Sequence, residues 1–410
     1  MKILQIASPW VDTPPDNYGG TEWVIANLVK GLSDLGHQVT LFATKTSKAI
    51  SNIKYIFKRS LLSQGISWTA GLPAFIHYYE AFKEAFKYDV VHAHIASSTD
   101  LIVMPFLADL TKQGIPNLMT IHSRWPYDRY SNMDKTLIKL YAKDILAVNI
   151  SKSMHKTLPK GFRDGGFVYN SLDTSTIKFN PKGGKYLTWL GKIIPEKGTV
   201  EAIKIAKAAG EQLVFAGIVD TYYEKSVKYW KEKVKPLIDG KQIQFLGPAN
   251  LRLKNRLLGG AKAFLNPINW DEPFGMVMVE SMAAGTPVIS FKRGAAPELI
   301  VNNKTGFLVK DKQEMVKAIK RVGEIDRKVC RLHVEENFSP YTAALQYLKI
   351  YRKEMYIPAK RYTKVRAPII SIPKSGNILI PGSQPKKNLF REAKQSHGLY
   401  AVAAQDTLNS

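Results

Sequence analysis

Two carboxylates with seven residues between them, Glu272 and Glu280, bracket the stretch Glu272-Pro273-Phe274-Gly275-Met276-Val277-Met278-Val279-Glu280. Pro273 stiffens the backbone, Gly275 frees it, and a helical pattern starts at Met276 and runs to Ala284. This spacing predicts Glu272 in a loop and Glu280 within the first turns of a helix. A glycine at a loop-to-helix junction lets backbone N–H groups approach a ligand, and a helix N-terminus favours a negative group such as phosphate. The carboxylates are then free to accept hydrogen bonds from hydroxyls. Phosphate on the amides and hydroxyls on the carboxylates is what a sugar nucleotide needs. The same acidic residues would also serve a purely structural end by complementing the helix dipole, and the stretch alone does not separate the two readings.

The elements that position this stretch alternate along the chain. Ile3 to Ala7 is a short apolar run, followed by the loop Ser8 to Gly20 with its closing pair Gly19-Gly20. Val24, Leu28, Leu32 and Leu35 then recur at helical spacing, with Thr21 expected to cap the helix and Gly36 to stop it. Val39 to Ala43 reads as a strand. A strand, glycine loop, helix and strand open a doubly wound sheet, although the loop is not the GxGxxG of dinucleotide folds. The paired glycines either make a turn or let the backbone approach a bulky anion. Further strands are expected at Asp89 to His94, Asn117 to His122, Ile145 to Asn149 and Phe167 to Asn170, with a helix over Ser151 to Leu158. In open α/β sheets the ligand crevice lies outside the carboxyl ends of the strands, which is where His122 falls. His92 and His94 share one strand face, but no further cluster accompanies them, so a structural role is favoured over a metal pair.

Around Asn180-Pro181-Lys182-Gly183-Gly184-Lys185 the composition shifts to a turn-rich linker, where a domain boundary is expected. A second alternating series follows. It starts with a strand over Tyr186 to Leu190, then Gly191-Lys192-Ile193-Ile194-Pro195-Glu196-Lys197-Gly198 and a helix from Thr199 to Ala209. Short strands are expected at 213–216, 243–246, 263–266 and 287–291, and helices at 222–237, 251–257, 312–323 and 341–356. The fold class is therefore α/β, with two tandem Rossmann-like doubly wound domains facing a cleft. From Ile357 onward the chain is rich in lysine, arginine and proline, and reads as a basic, partly extended tail.

Composition bounds the rest. A chain of 410 residues with 45% hydrophobic and 23% charged residues is ordinary globular material for two cores. The single cysteine, Cys330, excludes an internal disulfide. Met1 to Ala7 meets Pro9 too soon for a signal peptide, and the longest apolar run, Leu101 to Leu110, is broken by Pro105 and Asp109. The expectation is a cytoplasmic protein, at most peripheral to a membrane. A net charge of +25 attracts polyanions in general, yet no nucleic-acid module is visible, so no nucleic acid is expected as partner.

Gly19-Gly20-Thr21-Glu22, the Gly191-x-x-x-Pro195-Glu196-Lys197-Gly198 loop, Glu272-x7-Glu280 leading into Ala284-Gly285-Thr286-Pro287-Val288-Ile289, Gly294-Ala295-Ala296-Pro297-Glu298 and Thr305-Gly306-Phe307-Leu308-Val309 stand together in this order. With them the chain closely resembles glycosyltransferase family 4, the retaining, nucleotide-sugar-dependent transferases of the GT-B fold, over about residues 1 to 356. The resemblance implies an acceptor-side domain at 1–180, a nucleotide-sugar-binding domain at 181–340, a C-terminal helix at 341–356 and the tail 357–410 outside. It implies that Gly19 and Gly20 face the donor diphosphate, that Lys197 neutralises it as it leaves, and that Glu272 meets the hydroxyls of the transferred sugar. Glu280 would take the ribose hydroxyls, and amides at Phe274, Gly275 and Met276 would support the phosphate or sugar. His122 matches a histidine near sugar and acceptor. Two departures stand out: Lys192 replaces a frequent arginine and loses its fork, and Ser171 stands where glycine is usual.

Cleaving a sugar–phosphate bond creates extra charge on the diphosphate, which Lys192, Lys197 and the helix start near Met276 would stabilise. No Asp-x-Asp signature is present, so no metal and no cofactor are expected, and the departing phosphate would take the acceptor's proton. The expected partners are a nucleotide sugar and a sugar, lipid-linked or polymeric acceptor, with an anionic membrane as a further contact of the tail. Two rivals stand beside this reading: a non-catalytic protein of the same fold that binds an anionic polymer or membrane, and a phosphorylase. The intact set Lys197, Glu272 and Glu280 argues against a dead site. Trp125 and Tyr127 either line an acceptor pocket or pack a loop.

Overall fold

Runs such as Ile3-Leu4-Gln5-Ile6 and Val90-Val91-His92-Ala93 are covered on both faces, the pattern of parallel strands sandwiched by helices. The computed structural model describes residues 1–15, 19–50, 52–125, 132–221 and 223–356; Tyr127 and the basic tail 357–410 lie outside the described residues. The first sheet contains β1 (Lys2–Ile6), β2 (Gln38–Ala43), β3 (Ile53–Tyr55), β4 (Val90–Ile95), β5 (Asn117–Ile121), β6 (Leu146–Asn149) and β7 (Arg163–Phe167), in the spatial order β3-β2-β1-β4-β5-β6-β7. The second contains β8 (Tyr186–Lys192), β9 (Leu213–Ile218), β10 (Ile243–Phe245), β11 (Ala261–Asn266), β12 (Val288–Phe291) and β13 (Gly306–Val309), in the order β10-β9-β8-β11-β12-β13. The named pairings in both sheets are parallel.

The helices that cross over in the first half are α1 (Gly20–Asp34), α2 (Gly71–Phe82), α3 (Val103–Lys112), α4 (Met133–Tyr141) and α5 (Lys152–His155). In the second half they are α6 (Thr199–Ala209), α7 (Glu224–Tyr229), α8 (Leu251–Gly259), α9 (Met276–Ala283), α10 (Ala296–Leu299), α11 (Lys312–Arg321) and α12 (Arg327–Asn337). The last, α13 (Pro340–Met355), returns to the first half. Its Ala343, Ala344, Tyr347, Leu348 and Tyr351 pack with Ile25, Leu28, Val29 and Leu32 of α1. Full burial of each such aliphatic side chain contributes roughly 1.5–3 kcal/mol. Ser339 caps α13 by accepting from the Thr342 amide at 3.2 Å, and Pro340 fills the first helical position where its missing N–H costs nothing.

Each sheet reverses its winding once, between β1 and β4 and between β8 and β11. Such a switch point splays the flanking loops apart and opens a crevice at the carboxyl ends of the strands. The Gly19-Gly20 loop follows β1, His122 follows β5, Lys192 ends β8, and the Glu272 loop follows β11. Topology alone therefore brings these residues to the strand ends that border the crevices.

Several local expectations need correcting. Thr21 does not cap α1: the cap is Gly19 and the helix already includes Gly20. The helix expected over 222–237 is broken, with α7 passing into a π turn at Trp230–Val234 and a 3-10 turn at Lys235–Leu237, where Pro236 supplies no N–H for α-helical bonding. The strand expected at Phe167 to Asn170 lies earlier, at β7. The run Leu101 to Leu110 forms a 3-10 turn and most of α3, and among the described residues no helix is long and apolar enough to cross a membrane.

Candidate functional site

An open cavity of about 540 Å³ lies between the two halves. Gly19, Gly20, His122, Lys192, Lys197, Glu272, Phe274, Gly275, Met276 and Glu280 all line it, so the structure gathers every candidate residue at one place. Trp125 is not among the lining residues; it packs on Phe162 at 5.7 Å between ring centroids.

The floor is the start of α9. Gly275 stands at φ 97°, in the left-handed region, and a Cβ there would meet the Met278 methyl at 2.4 Å. Glycine is thus required both by conformation and by space. The Phe274 side chain is buried core, packed near Tyr169 and Phe338. The first amides of a helix have no intrahelical acceptor, and here they begin beside two carboxylates.

Those carboxylates are not bare. Lys197 pairs with Glu272 Oε2, which also accepts from the Trp270 indole at 3.0 Å, and the Lys197 ammonium lies 5.2 Å from the centre of that indole ring. Lys197 itself is placed by a 3-10 turn, Pro195–Lys197, whose last carbonyl accepts from the Trp189 indole at 3.1 Å. Lys254, on α8, pairs with Glu280 Oε1 at 2.5 Å. Lys192 pairs with Asp220 Oδ2 at 2.8 Å. The cavity therefore presents ion pairs on its second-half wall, each side chain a third exposed or less. Such pairs are ready to exchange partners with an incoming anion and its hydroxyls.

The opposite wall comes from the first half. Gly19, at φ 156°, leaves room for the Glu22 carboxylate, which would lie 2.7 Å from a Cβ. Glu22 sits in the first turn of α1, and burial pushes its carboxyl up to about 7. His122 is tied through its backbone N–H to the Ile95 carbonyl at 2.8 Å, and burial pulls its imidazole down to about 3. His92 and His94 lie well below the ordinary histidine value for the same reason. Both use their ring nitrogens in hydrogen bonds, and among the described residues no group of three or more His, Cys, Asp or Glu side chains could hold a metal ion.

The two halves are also stitched around the cavity. Arg124 donates to Asp271 Oδ2 at 2.9 Å, which holds that carboxyl below its usual range. Glu298 accepts from the amides of Lys152 and Ser153, at 2.8 and 2.6 Å, and from the Tyr169 hydroxyl at 3.1 Å. Sequence reading did not single out Lys254, Asp220, Trp270 or Arg124. Trp270 had a signal, standing two residues before Glu272; Lys254 and Asp220 had none, because only the tertiary fold brings them to their partners.

Similarity to known proteins agrees with this geometry. Residues 173–335 match the family described as Glycosyl transferases group 1, and residues 18–156 match Glycosyltransferase Family 4. The 2-deoxystreptamine N-acetyl-D-glucosaminyltransferase of Niallia circulans is 22% identical over 301 residues, covering 65% of this chain and 76% of that protein. The putative glycosyltransferase YtcC of Bacillus subtilis is 24% identical over 336 residues, covering 70% and 81%. Among solved structures, the sucrose-phosphate synthase of Thermosynechococcus elongatus superposes with a TM-score of 0.68 at 20% identity, covering 86% of this chain and 98% of that one. Anabaena HepE, solved with UDP and glucose, superposes with a TM-score of 0.66 at 17% identity, covering 86% and 100%.

Proposed function

The chain is a family 4-type glycosyltransferase of the GT-B fold, and from that premise we propose that it transfers a hexosyl group from a nucleotide sugar to a sugar, lipid-linked or polymeric acceptor, with retention at the anomeric carbon. The observation that carries this reading is the pair of lysine–carboxylate bridges, Lys197–Glu272 and Lys254–Glu280, flanking one helix N-terminus on one cavity wall.

In this reading the donor diphosphate enters between the Gly19-Gly20 loop and the start of α9. Lys197 leaves Glu272 for the diphosphate, and Glu272 turns to the hydroxyls of the transferred sugar. Glu280 takes the ribose hydroxyls, with Lys254 orienting it. The anomeric C–O bond to phosphate breaks as the acceptor hydroxyl attacks from the same face, and its proton passes to the departing phosphate oxygen. Lys192, Lys197 and the helix dipole stabilise the charge that grows on the leaving group more than they stabilise the bound donor. These groups supply the positive charge that the departure needs, so the reaction calls for no metal and no further cofactor. His122 stands on the first-half wall near the sugar. The protein would act in the cytoplasm, with an anionic membrane as an optional peripheral contact.

A panel of nucleotide sugars, assayed for donor turnover and followed by product analysis, tests this function. Turnover of one donor, with an α-linked donor giving an α-linked product, is expected. The net charge of +25 favours a second reading, a non-catalytic protein that binds an anionic polymer or membrane. Inactivity across the whole panel together with tight polyanion binding would replace the first reading by the second.

A further inference from the structure

His122 stands at one end of a line of buried polar side chains that crosses the first sheet and ends on α13. Its Nε2 lies 3.0 Å from His94 Nδ1, and His94 Nε2 lies 2.8 Å from Gln5 Oε1. Gln5 Nε2 donates to the Tyr351 hydroxyl at 2.9 Å, which lies 2.7 Å from His92 Nδ1. His92 Nε2 is 2.7 Å from Thr120 Oγ1, and the Thr120 and Tyr347 hydroxyls meet at 2.9 Å. Every member is buried. The other ring nitrogen of His122, Nδ1, has no partner among the described residues, and His122 lines the cavity.

Hydrogen-bond chemistry gives this line a direction. An amide oxygen only accepts, so His94 Nε2 must carry its proton to meet Gln5 Oε1. A neutral imidazole has one N–H, so His94 Nδ1 accepts and His122 Nε2 donates to it. At the other end the Gln5 amide nitrogen donates to the Tyr351 oxygen, which leaves the Tyr351 hydrogen for His92 Nδ1. His92 then donates from Nε2 to Thr120. His94 and His92 each give one proton and receive one, while His122 gives one to His94 and receives none from the line. We propose that this one-way circuit makes His94, Gln5 and Tyr351 positioning residues that hold the His122 proton on Nε2, so that His122 offers a bare Nδ1 to the cavity as a hydrogen-bond acceptor.

Burial keeps all three imidazoles neutral, which the argument requires. The consequence is chemical. A bare Nδ1 receives a hydrogen bond from a hydroxyl and has no proton to give to a phosphate or a ring oxygen. On the proposed reading of the cavity, His122 therefore recognises a substrate hydroxyl and takes no part in protonating the leaving group. The opposite sense would need the Gln5 amide reversed, and it would place the proton of His122 on Nδ1.

The proton position is read directly by NMR of the ligand-free protein labelled with 15N-histidine, with the His122 ring signals identified by their loss in His122→Gln. A protonated Nε2 and a bare Nδ1 are expected; a proton on Nδ1 overturns the proposal. A second pair of variants tests His94 itself. His94→Asn places an amide oxygen near the position of Nδ1 and should keep the His122 tautomer, with kcat/KM within about three-fold. His94→Leu removes the acceptor, and should spread the His122 proton over both nitrogens and lower kcat/KM about ten-fold. Equal behaviour of the two variants, each with a native-like fold by circular dichroism, also overturns it. The NMR result stands apart from the catalytic reading: a protein inactive on every donor with the expected tautomer loses the proposed function and keeps this one.

Discussion

The Ser151 hydroxyl of the first half donates to the carbonyl of Pro273 in the second, at 2.6 Å, and the same oxygen accepts the Met154 amide at 3.0 Å. One side chain thus caps α5 and anchors the residue that follows Glu272. The loop bearing Glu272 is held from across the cavity, so its position depends on how the halves meet.

Ser151→Ala should therefore act twice. Loss of the cap and of the bond to Pro273 costs about 1–2 kcal/mol of stability. The freed loop should raise the donor KM by several-fold while kcat for bound donor changes less. Urea unfolding and initial-rate kinetics on one preparation check both. A stability loss with unchanged KM would show that the bridge merely holds the fold.

Lys197→Ala removes the cation nearest Glu272 and, in the proposed reaction, the group that meets the departing diphosphate. The expected loss is about a hundred-fold or more in kcat, with donor affinity within a few-fold, because the charge it answers grows in the transition state. Single-turnover rates and calorimetric donor binding separate the two quantities. A variant as active as the native protein would sink the assignment.

Lys254→Met tests the other bridge. Glu280 would lose the cation that pairs with it at 2.5 Å. On the proposed reading Glu280 holds the ribose equally in ground and transition states, so donor KM should rise about ten-fold with kcat little changed. A fall in kcat at constant KM would instead put Lys254 on the diphosphate.

Much of this site was legible because its spacing is local. Glu272, Gly275 and Glu280 occupy one loop and one helix, so a single turn of chain relates them. Lys254 meets Glu280 across 26 positions, on a helix whose pattern says nothing about where its lysine points. The fold shows the same divide. Most strands were readable because buried parallel strands need continuous apolar runs, whereas the partly exposed edge strands β3 and β7 were missed and displaced, respectively. The helix α12 was missed because its buried stripe is narrow, Cys330 and Val334, while Arg327 and Arg331 hold it by reaching backbone carbonyls such as those of Asn180 and Ile177. Polar anchoring of that kind leaves no apolar period to find. Thr21 failed as a cap because Gly19 could take the loop geometry and Glu22 needed the space beside it.

Glu22 carries a stability cost with a definite sign. Its folded carboxyl is raised from 4.5 to about 7 by burial, so between those values the folded state binds more protons than the unfolded one. Stability from this group therefore falls as pH rises through that window, and the cost is complete above pH 7. The shift corresponds to at most about 3 kcal/mol, less what the helix N-terminus returns to the charged form. Glu22→Gln should stabilise the protein at pH 8 and leave it nearly unchanged at pH 5. Urea unfolding at the two values gives the comparison, and an equal effect at both would remove the buried charge as the cause.

The buried histidines run the other way. His77, His92, His94 and His122 are all held below the ordinary value of 6.5 by burial, His77 at about 4 and His122 at about 3. Below pH 6.5 the unfolded chain takes up protons that the fold refuses, so stability drops as pH falls, by up to about 1.4 kcal/mol per pH unit for each ring. Glu22 offsets one of these four while it titrates. With a domain stability of about 5–15 kcal/mol, the folded state should be lost cooperatively on acidification well before His122 itself titrates. The slope of unfolding free energy against pH between 5 and 6 should correspond to about three protons taken up on unfolding. A flat profile there would mean that these rings accept protons in the folded state, and would break the neutral circuit that links His122 to Tyr351.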